Sequence, residues 1–180
     1  MNTLARIVLE SYLFEKKTLS TDDLQKIHPF SNEKSPVFIT LRDGENVVWS
    51  TGRIYPAHDT FGEEFIDNII LITHDPRFEP YIENHEKMRK LNFRVDIFHD
   101  KDRRILHHPD ELDGETEGMI LLCQNQEKVW IILPHMFTHA LSGEEVYHQI
   151  IKKISLDTTH LGKGDVILYG VKTEIFEDTK

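Results

Sequence analysis

The chain has 180 residues, 39% of them hydrophobic and 29% charged, with a formal net charge of -10. This length favours one domain that can bury a sizeable core. No stretch approaches the ~20 apolar residues of a membrane span, and charged side chains interrupt the N-terminal segment where a signal peptide would be apolar. The single cysteine allows no internal disulfide, which fits a reducing cytosol. From these three observations together we expect a cytoplasmic protein without membrane contact.

The negative net charge opposes binding to a phosphate backbone, so a nucleic-acid surface would need a local basic patch. The densest basic segment runs from Lys87 to Arg94, but Glu83 and Glu86 offset it and Asp96 follows it. Basic clustering is the expected signature of nucleic-acid binding. We therefore expect no nucleic-acid partner.

Hydrophobic periodicity and turn residues divide the first half of the chain into helices, a hairpin and a strand. The Asp43-Gly44 dipeptide predicts the hairpin turn, and Pro76 prevents the helix before it from continuing. In chain order we predict helices near residues 3–16 and 20–27, strands near 36–41 and 46–54, a helix near 61–74, a short helix from Asn84 and a strand near 91–98.

The second half repeats the order of hairpin, helices and strand, which is compatible with an internal duplication of this unit, although no residue-level repeat supports one. We predict a polar loop around a short strand near 99–118, central strands near 118–124 and 128–134, helices near 134–140 and 142–154, and a closing strand near 165–176. The predicted fold is α+β, a single domain over residues 1–180, with lobes near 1–100 and 101–180 and a β-sheet built from hairpins with flanking helices.

Ser50 is the serine whose setting raises the question of a nucleophile. It lies in the segment VVWSTGR, Val47 to Arg53. A nucleophilic serine needs a neighbouring base and oxyanion donors, and the hydrolase elbow places glycine on both sides of it. Here Trp49 and Thr51 flank the serine and the strand continues. We therefore interpret Ser50 as a hairpin serine on the polar face.

His135 and His139 lie four residues apart in a segment predicted to be helical, so their side chains could share a face. The zinc-protease pattern of that spacing also needs a glutamate after the first histidine, and Met136 occupies that position. A structural metal needs three or four convergent ligands. We therefore expect no bound metal and no other cofactor, and interpret both histidines as surface residues.

The segment DPRFEP, Asp75 to Pro80, contains two prolines that stiffen it and a charged pair held close by a short chain. One interpretation is a structural corner, with Phe78 anchored in the core and Arg77 bonded to loop carbonyls. The other is a corner that contacts a ligand, because rigid loops commonly carry binding groups.

Other polar groups receive structural interpretations. Cys123 lies within an apolar strand, where a buried thiol is usually inert. Glu63 and Glu64, like Glu144 and Glu145, start predicted helices, where the helix macrodipole stabilises negative charge.

Several segments together resemble one family. They are LARIVLESYL at the start, SPVFITLRDGE in the first strand and turn, DPRFEP, FRVDIF, ILP at residues 132–134, and the closing VILYGVKTEIFED. In this order they resemble the AMMECR domain family, named for the Alport-syndrome and elliptocytosis chromosomal region, over nearly the whole chain.

The most specific motif of that family reads leucine-arginine-glycine-cysteine-isoleucine-glycine and falls on Val47 to Gly52. Only Gly52 is retained, because Val48 replaces the arginine, Trp49 a glycine and Ser50 the cysteine. A serine is not appreciably ionised near neutral pH without a base, so a thiolate function would be lost. We interpret the motif as degenerate, with Trp49 filling space that a ligand would need.

The resemblance implies an α+β domain with two lobes around a sheet, a cleft of unsettled function, and an accessory role beside Memo-like and radical-SAM proteins. The candidate cleft residues are Trp49, Ser50, Thr51, Gly52, Arg53, Asp75 and Arg77. The leading hypothesis is a non-catalytic module that binds a small ligand or a protein through this altered cleft. The alternative is an enzyme or accessory subunit using the cleft around Ser50. A histidine or carboxylate within hydrogen-bond reach of the serine hydroxyl would favour the enzyme.

Overall fold

The computed structural model describes residues 1–136, 141–159, 161–162 and 164–177, without the side chains of 99–102 and 135. The chain divides into two compact units, Met1–Phe98 together with the chain end from Glu174, and His99–Thr173. Helices combine with antiparallel strands, so the predicted α+β class is confirmed. The assignment of the whole chain to one domain stays a prediction. Every helix within the described ranges is too short or too polar to cross a membrane.

The first unit contains the predicted helices and hairpin. Its elements are α1 (Asn2–Glu10), α2 (Thr21–Ile27), β1 (Val37–Asp43), β2 (Asn46–Gly52), α3 (Phe61–Ile72), α4 (Glu79–Ile82), α5 (His85–Arg89) and the first part of β3 (Asn92–Leu106). A π-helical segment, Ser11–Glu15, extends α1, so the helix predicted near residues 3–16 is present with a changed hydrogen-bond pattern at its end.

The second unit contains the end of β3, the hairpin β4 (Gly118–Cys123) and β5 (Lys128–Ile132), helix α6 (Gly143–Ile154) and most of β6 (Val166–Glu177). The strand order is β2-β1-β3-β6-β4-β5. Strands β3 and β6 each contribute residues to both units. Hairpin, helix and strand therefore follow one another in both halves of the sequence, as predicted.

Side chains at the helix N-termini explain where the helices begin. The Asp23 backbone N–H donates to the Ser20 hydroxyl at 3.2 Å, and the Ser20 N–H donates to the Asp23 carboxylate at 3.1 Å. This reciprocal capping box satisfies two N–H groups that the helix leaves unpaired. Ser142 and Glu145 form the same arrangement at α6, as the sequence predicted, and Thr60 caps α3.

The core of the first unit lies between α1, α3 and one face of the strands. Alternate residues of β1 and β3 point to this face because the side-chain period of a strand is two. Burial of each large apolar side chain stabilises the fold by roughly 1.5–3 kcal/mol. The buried strand residues are Val37, Ile39, Leu41, Phe93, Val95 and Ile97.

The core of the second unit lies between α6 and the β4–β5 hairpin. Met119, Leu121 and Cys123 of β4 pack in the same cluster as Val146 and Ile150 of α6. Cys123 is fully buried, as expected for a thiol within an apolar strand.

Three predictions in the second half need correction. Strand β3 continues to Leu106, where a loop around a short strand was predicted. The period-2 apolar signal stops after Phe98, but a strand is defined by backbone pairing rather than by side-chain polarity. Strand β5 lies at the sheet edge and not at its centre. The helix predicted near 134–140 is a 3-10 turn at Pro134–Met136, and the rest of it, with His139, lies outside the described residues.

Candidate functional site

Strand β2 contains six of the seven residues of the segment Val47 to Arg53, and its pairing with β1 contains a β-bulge. Leu41 lies opposite Trp49 and Arg42 lies opposite Val47, so Val48 is an extra residue on β2. A bulge bends its strand and re-aims the neighbouring side chains. Both Val48 and Trp49 consequently pack against the first core.

Ser50 belongs to the other face of the sheet. It lies opposite Thr40, and the two hydroxyl oxygens are 3.1 Å apart. Ser50 is exposed, whereas Thr40 is buried. Across the part of the chain that the structure describes, the serine hydroxyl has no hydrogen bond to a histidine or a carboxylate. Its surroundings are those of a polar hairpin residue.

A buried ion pair continues this face onto β3. Arg94 lies opposite Thr40 and donates from Nε and Nη2 to the two carboxylate oxygens of Asp96, each at 2.9 Å. Its Nη1 donates to Glu177 at 3.2 Å. Asp96 is fully buried and Arg94 is 7% exposed. Hydrogen bonds of this kind offset the free energy lost when two charges are removed from water. The Arg94 guanidinium therefore binds carboxylates of its own chain.

Asp75, Arg77 and Trp49 form a corner on the core side of β2. The Asp75 carboxylate accepts hydrogen bonds from the Arg77 backbone N–H at 2.7 Å and from its Nε and Nη2 at 2.9 Å. These bonds hold the pKa of Asp75 below its usual range, with burial opposing them. The guanidinium carbon of Arg77 lies 4.6 Å from the centroid of the Trp49 ring, a cation–π arrangement.

This corner corrects one prediction and bears on another. Arg77 binds the Asp75 carboxylate rather than loop carbonyls. Phe78 is fully buried and stacks on Tyr81 with ring centroids 5.6 Å apart, so its predicted burial in the core is confirmed, and its role as a stabilising anchor stays a prediction. The Trp49 indole is half-buried, and its Nε1 is enclosed and makes no hydrogen bond to any of the described residues. That Trp49 fills a family cleft stays a prediction.

Arg53 turns away from this corner and binds α3. Its Nη1 donates to Glu64 at 3.0 Å and its Nη2 to Asp67 at 2.8 Å. Burial alone would lower the pKa of Arg53, but these two carboxylates outweigh it and raise that pKa. Burial likewise works to raise the pKa of Asp67, and the hydrogen bonds from Arg53 and His58 reverse this and lower it. The His58 Nε2 lies 3.3 Å from Asp67.

Glu64 lies in the first turn of α3, as predicted, but the sequence interpretation did not anticipate that its carboxylate binds other segments of the chain. The side chain is fully buried. Its Oε2 accepts the backbone N–H groups of Ala57 at 2.8 Å and His58 at 3.2 Å, and its Oε1 accepts Asn68 Nδ2 at 3.0 Å. The sequence signal was its position one turn after Phe61, on the apolar face of the helix.

Gly52, at the end of β2, is required by close packing. A Cβ at this position would clash with the Phe38 ring and would lie 2.6 Å from the Val37 carbonyl oxygen. Contacts below about 3 Å are essentially absent for a real Cβ. Thr51 lies opposite Ile39 and is half-buried.

The sequence profile of the AMMECR1 family matches residues 2–176, almost the whole chain. The chain belongs to the AMMECR1 family. A solved structure with the same fold is an uncharacterized protein, PH0010, from Pyrococcus horikoshii, with a TM-score of 0.77 and 23% sequence identity, covering 98% of this chain and 89% of that one. This identity is low enough that the likeness shows the fold alone. No curated protein matches the chain.

In this AMMECR1 family protein the candidate residues, all in the first unit, fall into separate groups. Trp49 contacts Arg77, which binds Asp75. Arg53 binds the carboxylates of α3, and Ser50 is hydrogen-bonded to Thr40. Gly52 and Thr51 are explained by strand packing. Side-chain alternation along β2 separates Trp49 from Ser50, because neighbouring strand residues point to opposite faces.

Proposed function

We propose that this AMMECR1 family protein is a non-catalytic binding module that contacts a protein partner through Trp49 and Arg77. The observation that carries the proposal is the Arg77 guanidinium fixed over the Trp49 ring. Tryptophan and arginine are enriched among the residues that dominate binding energy at protein interfaces. Here they are adjacent and supported from one side by Asp75.

The corner is suited to binding because it is already ordered. Two hydrogen bonds from Nε and Nη2 of Arg77 to Asp75 fix a side chain that otherwise carries about 2 kcal/mol of rotamer entropy. The Arg77 side chain is nevertheless 71% exposed, so the face of the guanidinium away from Trp49 is open to a partner. Binding to a preorganised group loses less entropy than binding to a mobile one.

The polar groups elsewhere in the candidate site support the non-catalytic part of the proposal. The Ser50 hydroxyl is hydrogen-bonded to Thr40, a hydroxyl that cannot serve as an efficient base. The Arg53 and Arg94 guanidinium groups are engaged by carboxylates of the chain itself. An anionic substrate would have to displace these buried or half-buried partners.

The alternative function, an enzyme or accessory subunit of a Memo-like or radical-SAM-associated system, is favoured by one arrangement. Asp67 lies 3.3 Å from His58 Nε2, and a carboxylate that orients a histidine is a common part of acid–base sites. His58, rather than Ser50, is therefore the residue whose substitution tests this alternative. His58→Ala would abolish any activity that depends on that pair while leaving the Trp49–Arg77 corner in place.

The test is site-specific photo-crosslinking in cells of the source organism. A photoreactive amino acid replaces exposed Glu79, beside the corner, or exposed Ile27 on α2 as the control position. We expect a defined protein adduct from position 79 that is lost in Arg77→Ala and reduced in Asp75→Asn. It should persist in Lys90→Ala, which removes another exposed cation. No adduct, or one unaffected by Arg77→Ala, would contradict the proposal.

A further inference from the structure

We propose that two copies of this chain associate by antiparallel pairing of their β5 strands. Strand β5 is the last in the strand order. Within the described residues, the backbone of Lys128–Ile132 makes its hydrogen bonds with β4 and with no other segment. One side of its backbone is therefore unpaired, and an unpaired sheet edge is a template for a further strand.

The side chains on this edge do not protect it. Val129 is 41% exposed and Trp130 is 39% exposed, and as neighbours on a strand they point to opposite faces. Natural edges are commonly guarded by a lysine. Lys128 does not fill that role, because its Nζ donates to the Ser155 carbonyl oxygen at 2.6 Å and is held against its own unit.

The opposite edge strand, β2, has two features that discourage pairing with another strand, and β5 lacks both. Its register with β1 shifts at the bulge, and bulges are a device that discourages edge pairing. Its aromatic residue, the half-buried Trp49, is covered by Arg77. The register of β4 with β5 instead runs unbroken from Met119 opposite Ile132 to Cys123 opposite Lys128.

A second copy fits this edge because the strand is self-complementary. In an antiparallel pair centred on Trp130, the two Trp130 side chains are adjacent and Val129 of one copy faces Ile131 of the other. Lys128 faces Ile132, so the two lysines lie four residues apart along the strands, about 13 Å at the rise of a strand. This exceeds the Debye length of about 8 Å at physiological ionic strength. At the centre of the pair Trp130, Val129 and Ile131 meet apolar groups, and the two lysines at its ends are separated.

The association is weak and dependent on salt. A strand of five residues forms an interface at the small end of the known range. Each copy carries a net charge of -10, and mutual repulsion opposes the dimer until salt screens it. Salt therefore strengthens this contact, which is the opposite of its effect on binding to a polyanion.

The first test is sedimentation velocity of the full chain, under reducing conditions, over a range of concentrations and two salt concentrations. We expect a monomer–dimer equilibrium that shifts toward dimer at higher salt. Trp130→Lys and Val129→Lys should each weaken it at least about tenfold. Val47→Lys, at a matched exposed position (47%) on the β2 edge, should not. A strict monomer up to about 1 mM, or equal weakening by Val47→Lys, would overturn the proposal and leave the β5 edge to a strand of another protein.

The second test fixes the register by disulfide trapping. Residues directly opposite on antiparallel strands have Cβ atoms about 4.5–5.5 Å apart, close enough for a disulfide after a small shift. A mixture of Val129→Cys and Ile131→Cys, which keeps Trp130, should form a mixed disulfide under mild oxidation. Lys128→Cys alone should not, and wild type should not because Cys123 is buried. Equal cross-linking by Lys128→Cys would contradict this register and with it the self-complementary pairing.

Discussion

Glu64 and Arg53 form an ion pair whose two members differ sharply in exposure. Glu64 Oε1 lies 3.0 Å from Arg53 Nη1, and the carboxylate side chain is 0% exposed while the arginine side chain is 31% exposed. The same carboxylate accepts the backbone N–H groups of Ala57 and His58. The pair therefore fastens the segment that follows β2 to helix α3.

Removal of the arginine leaves a buried charge without its counter-ion, so we predict that Arg53→Met destabilises the fold by about 3 kcal/mol. Urea unfolding at neutral pH measures this loss. Arg77→Met is the matched control, because the Arg77 side chain is 71% exposed and ion pairs of exposed side chains contribute little to stability. Equal losses in the two variants would show that the Glu64 carboxylate does not depend on Arg53.

Most helices and strands of the fold were readable from local sequence, apart from the extension of β3 to Leu106 and the 3-10 turn at Pro134–Met136. The Asp43-Gly44 turn places φ of Gly44 at 62°, a conformation that glycine adopts freely. The capping box of Ser142 and Glu145 marked the start of α6. These signals are local, since each depends on residues within a few positions of one another.

Relationships between distant residues were not readable from the sequence. The β5 edge depends on the strand order, because an apolar run reads the same whether one or both sides of the strand are paired. The contact of Arg77 with Trp49 joins residues 28 positions apart. The bulge at Val48 alters which residues of β2 share a face, and no period-2 count along the strand predicts it.

We predict that Phe78→Ala destabilises the protein by about 3–5 kcal/mol, the usual loss for truncating a buried phenylalanine. Phe78 is fully buried, and its ring stacks on Tyr81. The denaturant midpoint measures the effect, with Glu79→Ala as the control at the next, exposed position. A midpoint unchanged from wild type would mean that the corner does not depend on this anchor.

We predict that Gly52→Ala destabilises the protein by about 1–3 kcal/mol, the range for overpacking a filled site. A methyl group there would lie 2.6 Å from the Val37 carbonyl oxygen, so the backbone of one strand must move. Ser50→Ala, on the same face but exposed, should change stability by less than about 0.5 kcal/mol. Thermal or urea unfolding of both variants tests this, and a tolerated Gly52→Ala would show that β2 can shift at little cost.

In the second unit, the buried Glu117 forms an ion pair with Arg104 that bears on stability in acid. The Arg104 Nε and Nη2 donate to the two carboxylate oxygens at 3.0 and 2.7 Å, and the Asp113 backbone N–H donates at 3.1 Å. The hydrogen bonds from Arg104 hold the pKa of Glu117 below its ordinary value of 4.5, against the opposing effect of burial.

Because the pKa of Glu117 is lower in the folded than in the unfolded state, its contribution to stability is complete above the ordinary value and is lost as pH falls through the folded-state pKa. We therefore expect Glu117→Gln to lower the free energy of unfolding near pH 7 and to make that free energy less sensitive to acid. Urea unfolding between about pH 3 and pH 7 measures both effects, with exposed Glu115→Gln as the control. If Glu117→Gln retained the full acid sensitivity of the wild type, the loss of stability in acid would have to come from other carboxylates.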